Sequence, residues 1–122
     1  MTIQELYAKM GGDYDQAVRV MKKDKLIDKY VRKLTASNVC EMLAQAGETM
    51  DGAKLFESAH AMKGVCGNLG LDKLAAAAGE ITEEFRPGAA RRLTDAQVRE
   101  KIAQVEALYR RVVDGIAEYA GA

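Results

Sequence analysis

The chain of 122 residues contains one histidine. It opens the run His60-Ala61-Met62-Lys63-Gly64-Val65-Cys66-Gly67-Asn68-Leu69-Gly70, with a lysine three positions on and glycines at four, seven and ten. A neutral imidazole nitrogen is a nucleophile, and histidine is the side chain whose ordinary titration leaves it mostly neutral at pH 7. An ammonium beside it can offset negative charge brought to the ring. On a helix, at about 100° per residue, Lys63 lies about 60° from His60, Gly64 about 40° and Gly67 about 20°. The histidine is thus followed by a strip without side chains, flanked by one lysine. Glycine inside a helix costs about 1 kcal/mol relative to alanine, so two in one turn ask for a reason. Close approach of another protein to a reactive imidazole is such a reason.

The elements around the run can be read from apolar spacing. Leu55, Ala59, Met62, Cys66 and Leu69 recur every three or four residues and predict a helix over about 52–69, with His60 beside the core stripe. Asp51 fits the cap of this helix, and Gly70 closes it with almost no loop. Upstream, residues 2–10 form a short helix stopped by Gly11-Gly12, and Asp13 caps a second one through about Met21. A longer helix begins near Asp24 and carries Ile27, Tyr30, Val31 and Leu34. Thr35-Ala36-Ser37-Asn38 is placed to kink or briefly interrupt it before Val39, Met42, Leu43 and Ala46 resume, and Gly47 fits its end.

Downstream, Leu71, Leu74, Ala78, Ile81 and Phe85 stripe a helix that Arg86-Pro87-Gly88 ends. Residues 87–93 form the longest loop. Thr94 and Gln97 then make a capping box, and Val98, Ile102, Val105, Tyr109, Val112, Ile116 and Tyr119 keep the four-three spacing of a long bundle helix. The expected fold is all-α: an antiparallel up-and-down four-helix bundle over residues 24–122, with one or two short helices in residues 1–23 capping an end. The whole of 1–122 reads as a single domain.

The run closely resembles the signature of the histidine-containing phosphotransfer (HPt) domain, a histidine, two residues, lysine-glycine and a later leucine-glycine. His60, Lys63, Gly64, Leu69 and Gly70 match it in order and spacing. The resemblance extends through the apolar pattern of roughly residues 13–86 and is weaker over residues 1–12 and the last helix. It implies that His60 is a phosphoacceptor, taking a phosphoryl group from the aspartyl phosphate of one receiver domain and passing it to the aspartate of another. Lys63 would support the phosphate, while Gly64 and Gly67 would clear space for the receiver to dock. The surface around His60 should be moderately apolar, built from its own helix and the preceding long one.

The resemblance also implies that no cofactor belongs to this chain, magnesium being supplied by the partner receiver. Partners would be receiver domains of a hybrid histidine kinase or a response regulator. Counting across the hairpin puts residues near Thr82 opposite His60, where some family members use a polar side chain on the imidazole. Thr82 has a shorter reach than a glutamine and is not assigned to the site.

Composition excludes much else. Eighteen basic and eighteen acidic residues cancel, which leaves no electrostatic footprint for nucleic acid or for an anionic membrane. No apolar run approaches a membrane span, and the N-terminus, with Glu5, shows no signal peptide. Neither a phosphate-cradling glycine loop nor a kinase signature set is present, so ATP binding and autonomous kinase activity are not expected. Cys40 and Cys66 read as small buried hydrophobes in a reducing cytoplasm, and with one histidine they are too few and too far apart for a metal site.

Lys22-Lys23-Asp24-Lys25 and Arg91-Arg92 read as solvated surface, and Met42, Met50 and Met62 as core. A cytoplasmic, monomeric, free-standing relay protein is the leading expectation. The alternative is a helical adaptor or inhibitor that binds a receiver or kinase without taking phosphate.

Overall fold

Helix starts are written locally in this chain. The computed structural model describes residues 1–121; Ala122, the last residue of the expected bundle, lies outside the described residues. Seven helices follow one another: α1 (Ile3–Met10), α2 (Tyr14–Met21), α3 (Asp24–Ala36), α4 (Val39–Thr49), α5 (Gly52–Asn68), α6 (Asp72–Glu84) and α7 (Asp95–Gly121). Thr2 and Glu5 form a reciprocal capping box on α1, with bonds of 3.1 and 2.9 Å. Asp13 Oδ1 accepts from Gln16 N at 3.1 Å, and Asp51 Oδ1 from Lys54 N at 3.2 Å. Thr94 and Gln97 repeat the capping box at the entry to α7. Each device satisfies backbone N–H groups that have no partner in a first turn.

The all-α expectation holds among the described residues. The interruption expected at Thr35-Ala36-Ser37-Asn38 is present as a full break, which divides the long element of about 24–46 into two helices, α3 and α4. Ser37 is extended, at ψ 143°, and its Oγ accepts from Val39 N at 3.2 Å. A serine that bonds nearby backbone in this way competes with the helical ladder. α4 also runs past Gly47 to Thr49, where Met50, at φ 52°, takes the left-handed cap. Gly47 is not a stop. It is a close-packing residue, since a Cβ there would stand 2.5 Å from Ile102 Cδ1 on α7.

α4 packs on α5, α5 on α6, α6 on α7, and α7 returns to α4. Leu43, Leu55, Met62, Leu74, Ile81 and Ile116, contributed by these four helices, are fully buried in the core. Each such side chain contributes about 1.5–3 kcal/mol relative to exposure. Leu55 and Met62 on α5, with Leu69 at its C-cap, therefore outweigh the cost of about 1 kcal/mol apiece for Gly64 and Gly67, and the helix persists through both. Tyr30 and Met42 leave the expected core faces, 39% and 42% exposed. Lys29 and Lys33 lie over the Tyr30 ring instead, at 5.7 and 5.3 Å from its centroid.

The short N-terminal helices hold the end of α5. α1 lies on α7, and α2 touches α3 and α5. Buried Tyr7 donates its hydroxyl to Leu69 O at 2.6 Å, and Asp13 N donates to Gly70 O at 2.8 Å. Gly70 has φ 69°, and a Cβ on it would meet Asp13 O at 2.2 Å. Only glycine fits there, for both conformational and steric reasons.

At the opposite end, Glu84 is 6% exposed and organises the loop before α7. It accepts from Arg91 Nε at 2.8 Å, Arg92 N at 3.1 Å and Leu93 N at 2.9 Å. Arg91 also lies 4.6 Å from the Phe85 centroid and bonds Asp95 at 3.2 Å. Its side chain stays 41% exposed, as expected of a solvated charge, and it also anchors this loop.

Candidate functional site

α5 carries the site. Its stripe of Leu55, Ala59, Met62, Cys66 and Leu69 is buried, as the spacing predicts, and His60 beside the stripe is exposed. Thr82 does not turn toward the ring. Its hydroxyl is fully buried and donates to Ala78 O at 2.9 Å, one turn back on its own helix. The neighbour of the imidazole is Phe56, whose ring is stacked 5.4 Å away between centroids with the planes 8° apart.

Lys63 is exposed, and its stem lies across Gly79 of α6. A Cβ at Gly79 would stand 3.6 Å from Lys63 Cδ and 3.7 Å from Cε. The ammonium is therefore carried on the same side of α5 as His60, with α6 as its seat. Beyond it, Glu83 is hydrogen-bonded to Arg86 through Nε at 3.0 Å and Nη2 at 2.7 Å. The Arg86 guanidinium holds the Glu83 carboxyl below the ordinary carboxylate range, with Lys63 and His60 adding smaller pulls in the same direction. Arg86 stands in turn 5.6 Å from the Phe56 centroid.

Gly64 and Gly67 open onto empty space: a Cβ on either would meet nothing within 4 Å. Neither glycine is required by helix packing. His60, Lys63, Gly64 and Gly67 thus share one accessible face of α5, the arrangement expected of them. Further along α5, Val65 is 45% exposed and borders a shallow cleft with Met21, Tyr30, Asn68 and Leu69. This cleft is built from α5 and α3, with α2 contributing Met21.

Phe56, Gly79, Glu83 and Arg86 were not singled out from the sequence. The i, i+4 spacing of Phe56 and His60 was the one available signal, because residues so placed meet on a helix. Gly79 and Glu83 of α6, and Arg86 just past its end, join through a helix-helix packing that no local pattern encodes.

Neither thiol belongs to the site. Burial pushes the Cys40 thiol up to about 11 and that of Cys66 up to about 12. Among the described residues, no group of three His, Cys, Asp or Glu side chains is placed to hold a metal ion. No described helix is long and apolar enough to cross a membrane.

Fold and site together define a class, an all-helical chain that displays one imidazole on open backbone beside a lysine. The sequence pattern of the Hpt domain matches residues 32–115, and the chain belongs to that family. Hpt domains are histidine phosphotransfer modules of two-component signal transduction, not autonomous kinases. The match starts later than the resemblance read from the motif and continues through most of α7, leaving α1 and α2 outside it. No curated protein and no solved structure matches the chain at a significant level.

Proposed function

We propose that this chain relays a phosphoryl group between the aspartates of receiver domains, with His60 as the phosphoacceptor. The observation that carries the reading is the exposed His60 imidazole on the lane that Gly64 and Gly67 leave open. In the forward step an unprotonated ring nitrogen attacks the phosphorus of an aspartyl phosphate. The N–P bond forms as the P–O bond breaks, and that electron pair stays on the departing carboxylate. The reverse steps pass the group to a second receiver's aspartate. Lys63 offsets charge on the phosphoryl oxygens, and the two glycines let the receiver's loops come within backbone contact.

Metal and acceptor aspartate come with the partner, so magnesium is supplied by the receiver and this chain needs no cofactor. Its partners are the receivers of a hybrid histidine kinase and of a response regulator. The chain acts as a monomeric single domain of residues 1–122, with residues 24–122 as an antiparallel up-and-down four-helix bundle.

The test mixes the protein with a phosphorylated receiver domain and magnesium and follows the label. The label should move to this chain, be acid-labile and alkali-stable as an N–P bond requires, and be lost in His60→Gln. His60→Ala should keep the fold, since exposed substitutions change stability by no more than about 0.5 kcal/mol. Tight receiver binding without transfer would replace the relay by the non-phosphorylated adaptor.

A further inference from the structure

A side chain on an exposed helix face ordinarily samples several staggered rotamers, and a nucleophile is productive from few of them. His60 is exposed, yet its ring is not free-standing. Phe56 lies flat against it, one turn earlier on α5, at 5.4 Å and 8°. Helical side chains lean toward the N-terminus, so His60 leans back onto Phe56 and away from the open backbone of Gly64 and Gly67. The Phe56 ring is braced in turn from the chain just past the end of α6. The Arg86 guanidinium stands 5.6 Å from its centroid, and two hydrogen bonds of 3.0 and 2.7 Å tie that guanidinium to Glu83. One helix thus reaches the imidazole of the other through Glu83, Arg86 and Phe56.

We propose that Phe56 is a positioning residue for phosphoryl transfer, holding the His60 ring in the orientation from which its reacting nitrogen meets the incoming aspartyl phosphate. The inference rests on the reading of His60 as phosphoacceptor. The reacting lone pair lies in the plane of the imidazole, so a ring laid on one face restrains it without covering it. A hydrocarbon partner also commits neither nitrogen to a hydrogen bond, which a hydroxyl or carboxamide in the same place would do. Phe56 lies N-terminal to His60, and the docking lane lies C-terminal to it, so the brace leaves the lane open.

The experiment compares the parent, Phe56→Leu, Phe56→Tyr and His60→Gln in label transfer from a phosphorylated receiver, across a range of receiver concentrations. Proton NMR of the imidazole reports the stack directly, because the Phe56 ring current displaces the His60 resonances. In Phe56→Leu the maximal transfer rate should fall about tenfold, the scale expected of a misoriented nucleophile, while the half-saturating receiver concentration changes by less than about twofold. Phe56→Tyr should restore both the rate and the resonance positions.

A parental maximal rate in Phe56→Leu overturns the proposal. So does a raised half-saturating concentration at parental maximal rate, which would make Phe56 a docking contact. If the parent itself takes no label, the phosphotransfer reading falls with the proposal. A parent that transfers through His60 with an indifferent Phe56→Leu refutes the positioning role alone.

Discussion

Gly64→Ala will make this protein more stable, and Gly64→Gln will make it a slower phosphoacceptor. A glycine in a helix interior costs about 0.5–1 kcal/mol relative to alanine through the freedom its backbone loses on folding. That loss is recovered only where the new methyl group has room, and a Cβ at Gly64 or Gly67 meets nothing within 4 Å. Neither glycine has the positive φ that would strain an alanine. Gly64→Ala should therefore gain about 0.5–1 kcal/mol, and Gly67→Ala, next to the last residue of α5, the lower part of that range. For a chain of this size 1 kcal/mol moves Tm by about 3–6 °C, readily seen by circular dichroism.

Glutamine is nearly as good a helix former as alanine, so Gly64→Gln keeps most of the stability gain. Its side chain nevertheless stands in the lane beside His60. An obstruction worth about 1–3 kcal/mol raises the receiver concentration needed for half-maximal transfer roughly 5- to 150-fold. The two assays must move in opposite directions. A lower Tm in Gly64→Ala would mean that the glycine serves this chain's own packing, and parental transfer by Gly64→Gln would mean that the lane is not where the receiver docks.

The third glycine of the run should behave oppositely. Gly70→Ala brings a methyl group 2.2 Å from Asp13 O in a left-handed conformation, and urea unfolding should show a loss of more than about 2 kcal/mol. Glu84→Gln should cost about 1.5–3 kcal/mol at pH 7, because it removes charge-assisted bonds to Arg91, Arg92 and Leu93. Burial alone would raise the Glu84 carboxyl, but those donors outweigh it and hold it below the ordinary carboxylate range. Its contribution is thus complete above about pH 4.5 and is lost as the pH falls through the lowered value, so acid unfolding should be flatter in Glu84→Gln. The Cys66 thiol, fully buried and pushed up to about 12 by that burial, should resist alkylation at pH 8 in the native protein, and its modification should keep pace with unfolding. Fast labelling of Cys66 under native conditions would contradict its burial.

What could be read in advance depended on distance along the chain. The α5 stripe and the exposure of His60 follow from a period of 3.6, and the caps at Asp13, Asp51 and Thr94 from side chains three residues from their targets. Gly47 and Gly70 look alike in sequence as helix stops. One is an interior contact with Ile102 and the other a left-handed turn, because the first is decided by α7 and the second by the local chain. Arg91 reads as a surface charge, and its bond to the buried Glu84 carboxylate appears only when the fold of the loop brings seven-residue neighbours together. The stack of Phe56 on His60 sat at a legible spacing, but its brace from Arg86 depends on how α6 lies against α5.

The electrostatics around His60 bear on why such a site would pass a phosphoryl group on. A pocket of free guanidinium and ammonium groups would hold the doubly charged phosphoryl in a deep well, and a carrier in a deep well releases slowly. Here the Arg86 guanidinium is already engaged by Glu83 through two hydrogen bonds, and that carboxylate stays ionised well below neutral pH. Lys63, seated on Gly79 with its ammonium in solvent, is left as the support, and an exposed ammonium gains little in high dielectric. Under the relay reading, Glu83 competes with the phosphoryl group for Arg86, a modest effect because both side chains are exposed. Glu83→Gln frees that guanidinium and should lengthen the lifetime of the phosphohistidine while slowing onward transfer to a second receiver. Pulse-chase of the labelled protein reads both quantities, and an unchanged lifetime would show that Arg86 has no part in holding the phosphate.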